Sequence, residues 1–265
     1  QPLDNWVTTS ATDMSGMFAY ASKFNQPIGS WDVSKVTRTN EMFAGTVYNQ
    51  PLDNWVTTSA TDMSGMFYRA KFNQPIGNWD VSNVIKFTYM FARAVYNQPL
   101  DNWVTTSATD MAGMFNFAEF NQPIGNWDVS KVTRTSEMFA STSKFNQPIG
   151  NWDVSNVINF NYMFASAGAF NQPLNGWNLV SATSLLGMFH SAAVFNQPIN
   201  LWNVSNVTDM ANMFNNTGMF NQNLTEWCVA NITSKPDNFN ANAAALQPAN
   251  HPVWGTCPRG ENAQP

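Results

Sequence analysis

A tryptophan returns every 24 or 25 residues along almost the whole chain, and no other feature constrains the fold as strongly. The series runs Trp6, Trp31, Trp55, Trp79, Trp103, Trp127, Trp152, Trp177, Trp202 and Trp227, with only Trp254 outside it. Around each tryptophan the pattern is F-N-Q-P-[LI]-x-x-W-x-V-S-x-V-x-x-x-x-x-M-F. Met follows each of the first nine tryptophans by 11 positions, from Met17 to Met213, and Phe comes directly after it, from Phe18 to Phe214. The tenth unit keeps only Phe239 of that pair. A unit this short cannot bury its own apolar face, so stability has to come from stacking on its neighbours.

Pro precedes the Leu or Ile of the first nine units, from Pro2 to Pro198. Proline removes a ladder donor, so a parallel strand is expected to start after it and to cover the L-x-x-W-x-V stretch. In the second half of each unit apolar residues fall 5, 8, 11 and 12 positions after the tryptophan, as in Val84, Phe87, Met90 and Phe91. Steps of three and four predict a helical turn or a short helix. The expectation is an α/β repeat solenoid of about ten coils, each a short parallel strand followed by a short helix or helical turn.

Asn stands before Gln-Pro at 25, 49, 73, 97, 121, 146, 171 and 196, and before Gln-Asn at Asn221, the full column being Asn25, Asn49, Asn73, Asn97, Asn121, Asn146, Asn171, Asn196 and Asn221. A stacked amide row can satisfy backbone groups at the corner where each coil turns. A structural Asn ladder is therefore expected, with a ligand-binding row as the alternative. The units also alternate. The QPLDNWVTTSATDM type at 1, 50 and 98 interleaves with the QPIGNWDVS type, so the first six units form three pairs. Seven residues after each tryptophan this alternation gives Asp13, Arg38, Asp62, Lys86, Asp110 and Arg134, acid then base, before it stops at Asn159 and Ser184. At roughly 5 Å between neighbours these charges are expected to form a salt-bridge ladder, against the alternative of a solvated mixed-charge face. Asp32, Asp80, Asp128 and Asp153 read as solvated or backbone-capping carboxylates, because most lie too far apart to share a cation; the alternative is a weak calcium site at Asp128 and Asp153, which fall in adjacent coils.

The two cysteines, Cys228 and Cys257, both lie in the last unit. Such a pair reads as a disulfide closing the cap, the alternative being two free buried thiols. The organisation expected is nine regular repeats over 1–221, a degenerate tenth repeat and disulfide-closed cap over 222–257, and a disordered tail over 258–265. Because the chain starts inside a repeat, an upstream segment is expected to be missing.

The phrases FNQPIGNWDVSNV and M-x-x-MF resemble the BspA-like leucine-rich repeat surface proteins, including the mycoplasma-lipoprotein-type domain of unknown function with repeats of about 25 residues. The resemblance covers residues 1 to about 240. It implies a leucine-rich-repeat-like, right-handed solenoid, placed extracellularly or at a cell surface and acting in adhesion or protein binding, with no catalytic residues to carry over.

The bulk numbers agree with a binding or building role. Only 11% of residues are charged and the formal net charge is −5, which argues against a nucleic-acid binder held by a basic patch. No apolar run approaches the roughly 20 residues of a membrane span. The two histidines, His190 and His251, form no metal-ligand spacing with the cysteines, and no nucleophile elbow or phosphate loop occurs. The expectation is a protein without catalytic residues, metal or cofactor. Sequons at Asn203, Asn206, Asn215, Asn223 and Asn231 mark possible glycosylation at one end. The expected partner is a protein or glycan at a cell surface. One alternative is a structural subunit of an extracellular filament, wall or appendage, in which copies of the chain bind each other. Another is an ice-binding solenoid, although its Val-Thr-Thr pairs occur only in alternate units. The variable residues, such as Tyr68-Arg69, Asn116-Phe117 and His190-Ser191, fall just after Met-Phe, where loops on one face of a repeat array commonly bind.

Overall fold

The structure of the chain, a computed structural model, describes Leu3 and residues 5–258. The chain forms a stack of ten coils, numbered here 1 to 10 by their tryptophans from Trp6 to Trp227. Of the tail expected over 258–265, residues 259–265 lie outside the described part.

The expected α/β solenoid of strands and helices is not what forms. Among the described residues the only helix is a three-residue 3-10 turn, Pro248–Asn250. Strand-like pairing is confined to isolated parallel bridges between equivalent positions of successive coils, from Asp13–Arg38 through Ser184–Asp209. The fold is a coil-rich repeat, and its hydrogen bonds explain why. In coil 4 the N–H groups of Phe87, Tyr89, Phe91 and Arg93 donate to the carbonyls of Asp110, Ala112, Met114 and Asn116 in coil 5, at 2.7–3.0 Å. The intervening Met90, Ala92 and Ala94 donate back three residues, to Phe87, Tyr89 and Phe91. Donors thus alternate between the next coil and a local turn, which leaves neither a helical i−4 ladder nor a continuous sheet ladder.

Left-handed residues enforce the alternation. Ten and fourteen positions after the tryptophan φ is positive in coils 1 to 9, as at Gly16 and Tyr20, Glu41 and Gly45, or Tyr89 and Arg93. A left-handed residue every fourth position breaks any right-handed helix, so the three-and-four spacing reports consecutive turns instead. The L-x-x-W-x-V stretch is also turned. The N–H of Trp79 donates to the Ile76 carbonyl and that of Val84 to the Val81 carbonyl, at 3.1 and 2.9 Å.

The core consists of three columns of rings. Along the tryptophan column, pairs such as Trp55–Trp79, Trp103–Trp127 and Trp202–Trp227 stack face to face, with centroids 6.1, 6.1 and 6.4 Å apart. The Phe after Met stacks from coil to coil at 5.6–5.9 Å, as in Phe43–Phe67 and Phe189–Phe214. The Phe or Tyr before Asn-Gln forms the third column, as in Phe145–Phe170 at 6.0 Å. Each buried indole has to place its N–H. From Trp31 to Trp227 it donates to the Leu or Ile carbonyl of the preceding coil, at 2.8–3.2 Å.

At coil 10 the stack is covered by its own chain. Cys228 and Cys257 are joined by a disulfide. The N–H groups of Leu224 and Val229 donate to the carbonyls of Asn250 and Thr256, and Trp254 and His251 lie edge-on against Phe239.

Candidate ligand-binding ridge

Most of the columns singled out in the sequence are used up in holding coils together. Along the Asn column, the Oδ1 of each residue accepts the backbone N–H of the next, from Asn25–Asn49 to Asn196–Asn221, at 2.9–3.1 Å. From Asn73 to Asn196 the same oxygen also accepts the Nε2 of the following coil's Gln, as in Gln147 to Asn121 at 3.0 Å. The amide oxygen alone makes the ladder.

The charged column lies where the isolated bridges fall, so its members are neighbours in register. Two of its five acid–base steps close as ion pairs, Arg38–Asp13 at 3.7 Å and Arg134–Asp110 at 3.2 Å. Each acid has a second task. Asp13, Asp62 and Asp110 use Oδ1 to accept the N–H two residues on, at 2.9–3.0 Å. Asp32, Asp80, Asp128 and Asp153 cap the turn after tryptophan in the same way, through Ser34, Ser82, Ser130 and Ser155. Bonds from the serine hydroxyl and amide hold the carboxyls of Asp32, Asp80 and Asp128 below their ordinary range. Among the described residues no group of three or more His, Cys, Asp or Glu could hold a metal ion, and no helix is long and apolar enough to cross a membrane.

The sequons differ in their surroundings. Asn206 and Asn231 are exposed but donate their amide nitrogens to the carbonyls of Val180 and Ser205. Asn203 and Asn223 cap turns with Oδ1, and Asn215 donates to Asn212.

What remains outward and variable is the ridge of left-handed residues. Its two positive-φ positions, ten and fourteen after the tryptophan, are joined by the one before the second, which carries Tyr68, His190 and the buried Asn116. Repeats that are otherwise identical part company here. Gln1–Phe18 and Gln50–Phe67 match residue for residue and are followed by Ala-Tyr and Tyr-Arg. In coils 1–6 the ridge carries Tyr20, Glu41, Tyr68, Arg69, Tyr89, Arg93, Phe117 and Glu137, and beyond them mostly Ser and Asn.

Left-handed backbone disfavours side chains by roughly 1–2 kcal/mol per residue, and glycine escapes that penalty. Fifteen non-glycine residues nevertheless adopt it, with φ between 52 and 59°. Four of the large ones, Tyr20, Glu41, Tyr89 and Tyr162, lie over glycines of the next coil. A Cβ on Gly45 would come within 2.7 Å of the Tyr20 ring, and one on Gly113 would strike the Tyr89 ring. Gly187 lies beneath Tyr162 in the same way, and Gly65 beneath the stem of Glu41. Each glycine thus seats a side chain of the coil before it.

Polar contacts fix the seated groups. The Tyr89 hydroxyl and the Asn116 amide both donate to Glu137 Oε2 at 3.3 Å. Burial and then the Glu137 carboxylate raise the Tyr89 phenol above its ordinary pKa, so it stays a donor. The Arg93 guanidinium sits 4.3 Å over the Phe117 ring, and that of Arg69 sits 5.2 Å from the Tyr68 ring. Over coils 1–4 the ridge opens into a groove of about 330 Å³ with Gly65 in its lining and Tyr20, Glu41, Tyr68 and Tyr89 around it. Tyr20 and Phe117 remain 62% and 51% exposed. Tyr68-Arg69 and Asn116-Phe117 belong to this face. Tyr20, Glu41, Tyr89, Arg93 and Glu137 also belong to it, although the sequence did not single them out as part of such a face. Their signal was the glycine that recurs at the same position in other coils.

No curated protein and no solved structure matches the chain. The family described as Mycoplasma protein of unknown function, DUF285, matches it three times in succession, over residues 1–98, 93–190 and 174–252. With almost every coil inside one of those matches, the chain belongs to the DUF285 family.

Proposed function

We propose that this chain is a non-catalytic recognition module, extracellular or at a cell surface, that binds a protein or glycan along the left-handed ridge of coils 1–6. The observation that carries this reading is the placement of bulky Tyr, Phe, Arg and Glu in backbone that favours glycine. Strained positions filled in this way gather at functional sites. Repeats identical elsewhere diverge at these residues, which adds support, as does the resemblance to BspA-like surface proteins.

The rival roles fit less well. Head-to-tail growth of a filament would need the coil-10 face, and Trp254, His251 and the disulfide loop occupy it. An ice-binding surface would need a flat threonine array. The first threonine of each Val-Thr-Thr is buried (Thr8, Thr57 and Thr105), leaving only Thr9, Thr58 and Thr106 outside, in alternate coils.

The test is a fluorescent fusion of the full chain applied to cells of its source and their extracellular matrix. Surface decoration should vanish when Tyr20, Tyr68, Tyr89 and Phe117 are all replaced by alanine. It should persist when Thr58, Thr106 and Ile85, on another exposed face, are replaced. Equal decoration by both variants refutes the ridge, and continuous fibres of purified chain in electron microscopy support the structural role instead.

A further inference from the structure

We infer that the groove over coils 1–4 is a subsite for a neutral sugar ring within an oligosaccharide. This rests on the ridge being the binding face. The groove is lined by Tyr20, Glu41, Ser64, Tyr68, Thr88 and Tyr89. Its volume of about 330 Å³ lies at the lower end of the range for small-ligand sites. Three phenol rings supply flat apolar surface with a polar tip. The carboxylate of Glu41 accepts only, while the hydroxyls of Ser64, Thr88 and the tyrosines both donate and accept. A pyranose presents the matching set, hydroxyls that donate and accept around its edge and C–H groups on its faces.

The ridge as a whole carries no net charge that would draw an ionic ligand. The ridge of coils 2–6 sets Glu41 and Glu137 against Arg69 and Arg93, which sums to zero. A cation would look for an aromatic face; of the three groove rings Tyr68 already has the Arg69 guanidinium 5.2 Å from its centroid, and Phe117, further along the ridge, has that of Arg93 at 4.3 Å. An anion entering the groove would meet Glu41. The rings are also held in advance. Tyr20 lies against Gly45 and Tyr89 against Gly113, so less side-chain freedom is lost on binding than for a free tyrosine. The further aromatic group at Phe117 continues the ridge beyond the groove, which favours an oligosaccharide over a single sugar.

The experiment titrates the full chain by calorimetry with four neutral hexasaccharides (cellohexaose, laminarihexaose, chitohexaose and mannohexaose). Hexalysine and a heparin hexasaccharide serve as charged probes. At least one neutral hexasaccharide should bind, with saturation transfer to its ring C–H protons. Tyr68→Ala and Tyr89→Ala should each weaken it about tenfold. The isosteric Glu41→Gln, which keeps the stem over Gly65, should weaken it about fivefold. Thermal melts of all three variants verify that they are folded. Failure of every neutral probe, affinity untouched by the three substitutions, or binding of charged probes alone overturns the inference. If cell decoration depends on the ridge but no neutral probe binds, the ridge reading stands and the sugar assignment falls.

Discussion

Replacing Asn121 by alanine tests the Asn ladder in its half-buried middle stretch. Asn121 Oδ1 accepts the Asn146 N–H at 3.0 Å and the Gln147 Nε2 at 3.0 Å. Alanine removes both contacts, although Gln147 retains the Asn121 carbonyl at 3.1 Å. Asn146 is half-buried, so its N–H is left with little access to solvent. A buried donor without a partner costs about 1–3 kcal/mol, and we expect about 2 kcal/mol for Asn121→Ala. For a chain of this size unfolding as one unit, that is a fall of about 4–8 °C in Tm. Asn25→Ala deletes the equivalent acceptor of Asn49, but Asn25 and Asn49 are exposed and water can replace the amide oxygen. Its loss should stay below about 0.5 kcal/mol. Asn121→Asp keeps the acceptor and should melt within about 2 °C of the parent, because the amide nitrogen makes no ladder contact. The assay is thermal unfolding of the three variants, with hydrogen exchange at the Asn146 amide as the local readout. Equal losses for Asn121→Ala and Asn25→Ala would show that the ladder is incidental to stability. A loss in Asn121→Asp as large as in Asn121→Ala would refute the claim that the oxygen alone matters.

Further tests address the ridge, the charged column and pH. Gly113→Ala should destabilise by about 2–4 kcal/mol, combining left-handed strain with collision against the Tyr89 ring. Gly16→Ala, with open space around its Cβ position, should cost only about 1–2 kcal/mol, and Tyr89→Ala should rescue part of the Gly113 loss in a double-mutant cycle. Arg134→Glu should destabilise by at most about 1 kcal/mol and less so in high salt, and Arg38→Glu, at a longer pair distance, should do still less in urea titrations. Lowering the pH should act in two stages. Burial and then Lys235 hold the His251 imidazole below its ordinary value of 6.5. Its contribution is therefore complete above pH 6.5 and is lost as the pH falls toward the folded-state value. The Asp32, Asp80 and Asp128 carboxyls are lowered from 3.8, so their share is present above that pH and lost below it. Melting curves against pH should show both stages, and His251→Ala should remove the first alone.

How much of this could be read from the sequence depended on which interaction a residue serves. Trp, Met and Phe recur because a core has to be filled at every level, so period and stacking were legible from these columns alone. The local backbone was not. Val84, Phe87, Met90 and Phe91 have a spacing that suits a helix and equally suits successive turns folding the same residues inward. The discriminating signal was Gly16, Gly65, Gly113 and Gly187 at one position of four coils, with Gly45 four residues further along its own coil. Those glycines mark left-handed backbone that a helix interior would not need. The ridge was half legible for the same reason. Tyr68-Arg69 and Asn116-Phe117 stand out as variable after Met-Phe. Glu41, Tyr89 and Glu137 precede Met, and only the turn geometry brings them onto the same face.

That geometry also explains how the ridge can vary in its side chains without loss of the fold. The bonds between coils at the ridge run from backbone N–H to backbone carbonyl, as in Tyr89 to Ala112 and Arg93 to Asn116. They survive any side chain that tolerates positive φ. The ring columns that supply most of the burial lie on the opposite side of the same backbone. Where no neighbouring side chain is seated over it, as at Gly16, a ridge position meets the left-handed penalty and little else, about 1–2 kcal/mol relative to glycine, whereas a large-to-small change in a ring column opens a cavity costing about 3–5 kcal/mol. Divergence should accumulate where it is cheapest, and the coils show this pattern. Gln1–Phe18 and Gln50–Phe67 are identical, and the difference begins at Ala19 and Tyr68. Asn is among the residues best suited to left-handed backbone, and it occupies Asn212, Asn216, Asn238 and Asn242 at the far end of the stack. Coils 1–6 instead accept the strain of Tyr, Arg, Phe and Glu. Selection for stability alone would favour glycine or Asn throughout, and the bulky residues, concentrated in the first six coils with Tyr162 beyond them, support the recognition role proposed above.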